Sequence, residues 1–202
     1  ANYQISQESI DMVNQKYHDL KHQIAVLRSE VRCEEKTDCL DRMEREIKIY
    51  ETQNKTGNEV LDAILTSKSI YCQGQNISLT CVADGRALHF MDTIDISSLF
   101  GNAMDNAIES VRQIPEEESE KRLIHLSVVK QKGFVRIRVE NYCEKEPVLK
   151  DGMPVTTKKD TRFHGYGLKS IQSTARKYGG SVTASVKNHW FELRILLPEK
   201  AE

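Results

Sequence analysis

No stretch of this 202-residue chain approaches the roughly eighteen apolar residues of a membrane-spanning helix, and no signal-peptide core is present. A soluble fold is expected. An excess of charge of one sign is missing too: 29 Lys and Arg stand against 30 Asp and Glu. Without a broad basic field, nucleic acid is not expected as a partner. Cysteine is sparse and odd in number. Cys33, Cys39, Cys72, Cys81 and Cys143 lack a compact framework spacing, which speaks against a disulfide scaffold and for packed thiols in a reducing compartment. What the chain does have is 39% hydrophobic residues, enough to bury a true core in one or two domains.

The first fifty residues carry a heptad seam. Ile10, Val13, Tyr17, Leu20, Ile24, Leu27 and Val31 recur at alternating steps of three and four. After a polar turn over 32–38 the seam resumes at Leu40, Met43, Ile47 and Tyr50. An antiparallel helix hairpin is the simplest structure, and two helices alone make a thin core. Homodimerisation into a four-helix bundle would close it. The chain starts at Ala1 already in register for a helix, so it is expected to be part of something longer.

On the first helix lies Tyr17-His18-Asp19-Leu20-Lys21-His22, with His18 and His22 one turn apart beside the seam. The residues alone leave three readings open. Two surface histidines are the plainest. A metal site is the second, because His-Asp-x-x-His resembles the ligand spacing of zinc peptidases, although no third ligand stands out. The third makes His18 a nucleophile toward a phosphoryl group, with Asp19 as the carboxylate that orients or deprotonates it.

The heptads stop at the polar run Gln53 to Gly57, which reads as a joint, and the pattern then turns mixed. A short helix is expected from Asn58 to Leu65 and a strand over Ile77–Val82. A long helix is expected over Ile94–Ile114, with Asp95 as its N-cap and Pro115 after its end. Strands over Leu123–Val129 and Val135–Val139 flank a turn at Gln131-Lys132-Gly133. A helix over Leu168–Tyr178 is stopped by Gly179-Gly180, and strands over Ser181–Val186 and Trp190–Leu196 close the chain. Strands on one side and helices on the other predict a two-layer α/β sandwich, hence an α+β chain overall. Residues between Cys143 and His164 have little periodicity and read as a long, functional loop.

The organising stretch is Gly101 to Glu109. As a helix it sets Leu99, Ala103, Met104, Ala107 and Val111 on an apolar flank and Asn102, Asp105, Asn106 and Glu109 on a polar one. A solvated face usually favours Lys and Glu. Asn is a poor helix former, kept where its carbonyl oxygen has a task such as ligating a hard cation. A second feature is Gly165-Tyr166-Gly167-Leu168, two glycines that open a helix and bring backbone N–H groups toward phosphates. Lys158, Lys159, Arg162 and His164 precede it, a basic loop able to close over an anion.

In this order the pieces resemble the sensor histidine kinases of the GHKL ATPase superfamily, and more narrowly the quorum-sensing peptide receptors of Gram-positive bacteria. Gly101-Asn102-x-x-Asp105-Asn106-Ala107-Ile108-Glu109 is similar to that group's N-box. The resemblance implies that Asn106 and Asn102 hold Mg²⁺ and the phosphates of ATP, with Asp105 and Glu109 in the same box. His164-Gly165-Tyr166-Gly167-Leu168 is similar to its glycine box, which implies triphosphate contact by this backbone; Thr157 to Asp160, with Lys158, is similar to its lid. Tyr17-His18-Asp19 is similar to the phosphoacceptor motif, which implies phosphorylation of His18 assisted by Asp19. The usual Asp-x-Gly-x-Gly segment is absent, and Asn141 is the candidate for the adenine side. His22 stands where many relatives carry Asn or Thr, which leaves phosphatase activity open.

The resemblance implies residues 1–57 as a dimerising phosphotransfer hairpin and 58–202 as the ATP-binding domain. It further implies a response-regulator partner and a membrane-anchored parent with this portion in the cytoplasm. The rival expectations are a catalytically silent dimeric scaffold that acts through protein binding, and a GHKL ATPase that is not a kinase.

Overall fold

The computed structural model describes residues 55–150, 152–154 and 166–199. The expected helical hairpin and bundle fall outside the described residues, as do His18, Asp19, His22, Lys158, His164 and Gly165.

The first helix, α1 (Glu59–Gly74), starts where Asn58 accepts a hydrogen bond from the Leu61 N–H at 3.0 Å. It runs nine residues past the expected end at Leu65. The reason is a stripe at 61, 65, 68 and 72: Leu61, Leu65 and Cys72 are buried, but Lys68 occupies the third position and masks the pattern. Thr56, expected in the joint, is bonded into this domain, and Gly57 beside it leaves no room for a Cβ, which would lie 2.6 Å from the Arg86 side chain. The Thr56 N–H and hydroxyl both donate to Asp62 Oδ1 at 2.7 Å, and the Thr56 carbonyl accepts from the Gly85 N–H at 2.9 Å. A Cβ on Gly85 would lie 2.2 Å from Thr56 Oγ1, so only glycine allows that approach.

Strand β1 (Ser78–Ala83) leads through a 3₁₀ turn at Gly85–Leu88 into α2 (Thr93–Val111). Asp95 is not its N-cap. Asp92 holds that place without a side-chain cap bond, and Asp95, one turn inside, accepts from Lys177 and Tyr178 instead. The helix also stops three residues short of Ile114. Pro115 disfavours helical geometry at Ile114, and the last turn tightens through Gln113 N–H to Ser110 and Ile114 N–H to Val111.

Strands β2 (Leu123–Gln131) and β3 (Phe134–Tyr142) form a hairpin whose turn residues, Lys132 and Gly133, both have positive φ. A two-residue ribbon, β4 (Leu149–Lys150) with β5 (Met153–Pro154), interrupts what reads as a long loop. Then follow α3 (Tyr166–Lys177), β6 (Ser181–Lys187) and β7 (Trp190–Pro198). Between α3 and β6, a Cβ on Gly180 would meet the Leu196 carbonyl at 2.3 Å, which explains why the helix stop is glycine.

The five-stranded sheet has the order β1-β2-β3-β7-β6, with β1 parallel to β2 and every other pair antiparallel. Alternation along the strands gives it two unlike faces. Ile124, Leu126, Val128, Val135, Ile137, Val139, Leu193, Ile195 and Leu197 are buried in one core cluster with the apolar flank of α2. The other face carries ion pairs, Arg138 with Glu140 and Glu192, and Glu192 with Arg194. The mixed sheet with helices packed on it is the expected α/β architecture.

Arg122 ties three elements together. It is 5% exposed and donates to the Ile114 carbonyl from Nε and Nη2, at 3.0 and 2.6 Å, and to the Gln75 carbonyl at 2.9 Å. These carbonyls lie just past the ends of α2 and α1, where orphan acceptors collect, so one guanidinium closes two helix ends onto the start of β2.

Candidate functional site

Burial of Leu99, Ala103, Met104, Ala107 and Val111 fixes the rotation of α2. That rotation leaves a polar ridge at steps of four: Ser98, Asn102, Asn106 and Ser110, roughly 18 Å from end to end at 1.5 Å per residue. At Ser98 the hydroxyl pairs with Ser170 of α3 at 3.0 Å. Asn102 donates its amide nitrogen to the Ser98 carbonyl at 2.7 Å, which commits the other end of the amide, Oδ1, to face outward. What it faces is the start of α3. A Cβ built on Gly167 would lie 3.4 Å from Asn102 Oδ1, and 3.5 and 3.6 Å from Oδ1 and Nδ2 of Asn106.

The Asn102 amide oxygen and the side-chain amide of Asn106 thus look across a methyl-sized gap at a glycine in the first turn of a helix. Neutral carbonyl oxygens are donors for a hard cation, and the helix start offers N–H groups to an anion. The residues present therefore fit a magnesium–nucleotide pair. The carboxylates behave differently. Asp105 turns to α1, where Lys68 Nζ reaches its Oδ1 at 2.5 Å, and Glu109 lies half-exposed one turn on. Leu168, expected beside the phosphates through its backbone, packs its side chain partly buried against the core.

At the far end of the ridge, Asn141 is 2% exposed on β3 and donates to Ser110 Oγ at 3.0 Å and to the Tyr142 carbonyl at 3.1 Å. It meets the ridge one turn beyond Asn106. Ser98 and Ser110 were missed by the sequence reading, although Ser-x₃-Asn-x₃-Asn-x₃-Ser is visible as an i, i+4 series once α2 is accepted as a helix.

A staple holds the other end of the α2–α3 seam. Tyr178 OH accepts from the Asp92 N–H at 2.9 Å and donates to Asp95 Oδ2 at 2.5 Å, while Lys177 Nζ reaches Asp92 and Asp95 at 2.9 and 2.5 Å. The Lys177 bond, and then the Tyr178 bond, hold the Asp95 carboxyl below the usual carboxylate range. Burial pushes the thiols of Cys72 and Cys81 up to about 11. Among the described residues Cys72 and Cys143 are buried and Cys81 half-buried, all three as free thiols. Among the described residues no cluster of His, Cys, Asp and Glu could hold a metal ion, and no helix is long and apolar enough to cross a membrane.

Residues 91–198 match the family described as the GHKL domain. No curated protein matches. Among solved structures, two nucleotide-free forms of the catalytic domain of histidine kinase ThkA resemble the chain. One has a TM-score of 0.54 at 18% identity over 71% of this chain and 94% of that one. The other has a TM-score of 0.55 at 19% identity, again over 71% and 94%. At such identity these likenesses speak for the fold. The family match covers more than half of the sequence, including the whole of α2, α3 and the sheet from β2 to β7, and the chain belongs to the GHKL domain family.

Proposed function

We propose that the chain is the kinase portion of a sensor histidine kinase, which phosphorylates His18 from ATP and passes the phosphoryl group to an aspartate of a response regulator. The observation that carries the reading is the gap between Gly167 and the amide oxygens of Asn102 and Asn106. In this reading those oxygens hold Mg²⁺, and the first turn of α3 holds phosphate oxygens. Lys158, His164 and Gly165, from the loop before α3, cover the polyphosphate, and Asn141 lies toward the adenine. Bound Mg-ATP supplies the phosphoryl group and the metal that offsets its charge.

The chain's own work is positioning. Neutral His18 presents its ring nitrogen in line, and Asp19 orients the ring or takes its proton. Phosphotransfer to an aspartate then returns His18 to its neutral form. The N-terminal hairpin forms a homodimer, and its seam relays a signal from an upstream, membrane-anchored region, with this portion in the cytoplasm. Thr56 is bonded to Asp62 and Gly85 of the ATP-binding domain, so it moves with that domain. A polar ridge of Asn102 and Asn106 facing Gly167, which a silent scaffold has no need of, supports the choice of a kinase.

The test is incubation with labelled Mg-ATP of the wild type, His18→Gln and His22→Gln, followed by an assay for acid-labile, base-stable phosphate. Label lost only in His18→Gln is the expected result. Loss only in His22→Gln would move the acceptor, and no label on any form would overturn the kinase reading.

A further inference from the structure

Lys68 stands where α1 should be apolar. Its stripe runs Leu61, Leu65, Lys68, Cys72, with the other three buried and the lysine side chain only 25% exposed. Long lysine stems do cover apolar surface, so partial burial alone is unremarkable chemistry. The direction of the head group is informative: Nζ lies 2.5 Å from Asp105 Oδ1, on the residue just before Asn106. Asp105 is itself 64% exposed and would otherwise be a free negative charge beside the face on which Asn102 and Asn106 meet Gly167.

We infer that Lys68 is a positioning residue for the polyphosphate: it neutralises Asp105 and keeps that carboxylate turned to α1, so that Asn106 meets an anionic ligand without a like charge beside it. The inference rests on the nucleotide reading above. Nucleotide affinity in the Lys68→Gln variant would fall because Asp105 is released, not because a phosphate contact is lost. An unpaired charge about a helical turn from a polyanion weakens binding on the order of five- to tenfold.

The test is a calorimetric cycle with Mg-ATP and with adenosine on the wild type, Lys68→Gln, Asp105→Asn and the double variant, with Lys68→Arg as the conservative control. The expected result is a five- to tenfold loss for Lys68→Gln with Mg-ATP and none with adenosine, affinity restored in the double variant, and near-normal affinity in Lys68→Arg. Melting temperatures without ligand identify any variant that fails to fold, and Lys68→Arg keeps the question answerable if Lys68→Gln does. A double variant as weak as Lys68→Gln would overturn the inference, since the lysine would then touch phosphate directly. Equal affinity of the wild type and Lys68→Gln would overturn it alone; a wild type that binds neither ligand would overturn it together with the nucleotide reading.

Discussion

Replacing Gly167 by Ala separates the fold from the ligand site. The added methyl would sit 3.4 to 3.6 Å from the nearest atoms of Asn102 and Asn106, which is ordinary van der Waals contact. The free protein should therefore tolerate it, and because Ala is favoured over Gly in helices by up to about 1 kcal/mol, Tm should hold or rise slightly. The same methyl fills the space where a cation or a phosphate oxygen would stand against the amide oxygens. At Mg-ATP a hundredfold above its Kd, the wild type gains about 2.7 kcal/mol, or roughly 8 °C in a domain of this size. A hundredfold weaker Kd in Gly167→Ala would leave about 0.4 kcal/mol, roughly 1 °C. Thermal scans of both forms with and without Mg-ATP read this directly. A full shift in Gly167→Ala would refute the assignment of the gap as the ligand site. Loss of folding without ligand would refute the packing argument.

Arg122→Met should destabilise the domain by about 2 to 4 kcal/mol in urea unfolding, because the Ile114 and Gln75 carbonyls lose charge-assisted partners. Asp95→Asn should make stability less dependent on acid. The folded carboxyl is held low by Lys177 and Tyr178, so its contribution is complete above the unfolded value near 4 and is lost as pH falls through the folded value. The stability gap between wild type and variant should be flat from about pH 5 to 8 and narrow below about pH 4. Cys72 and Cys81, with thiols raised to about 11, should resist iodoacetamide at pH 8 in the folded protein and react once it is unfolded, as mass spectrometry would show.

The fold was legible wherever one period dominated. The apolar flank of α2 and the alternating strands β2, β3 and β7 came directly from the pattern, and the β2–β3 turn from Gln131-Lys132-Gly133. Where a polar residue sat in an apolar stripe, the pattern failed: Lys68 hid half of α1. Tertiary bonding decided the start of α2, since Asp95 looks like a cap in sequence and is claimed by Tyr178, 83 residues away. The site was legible in part. Asn102 and Asn106 were visible as misplaced helix residues, and Gly167 as a helix opener. Asp105 and Glu109 share their face by spacing alone, but a cross-helix ion pair turns Asp105 toward α1, and no local pattern reveals that. Arg122 gave no signal at all, because its acceptors are carbonyls whose positions depend on where two helices end.

The most direct measurement is a calorimetric titration of ATP into the wild type and Asn106→Ala, each with and without Mg²⁺. The account predicts tight, Mg²⁺-dependent binding by the wild type and its loss in Asn106→Ala at unchanged Tm. Equal binding by the two proteins, or none by the wild type, would contradict it.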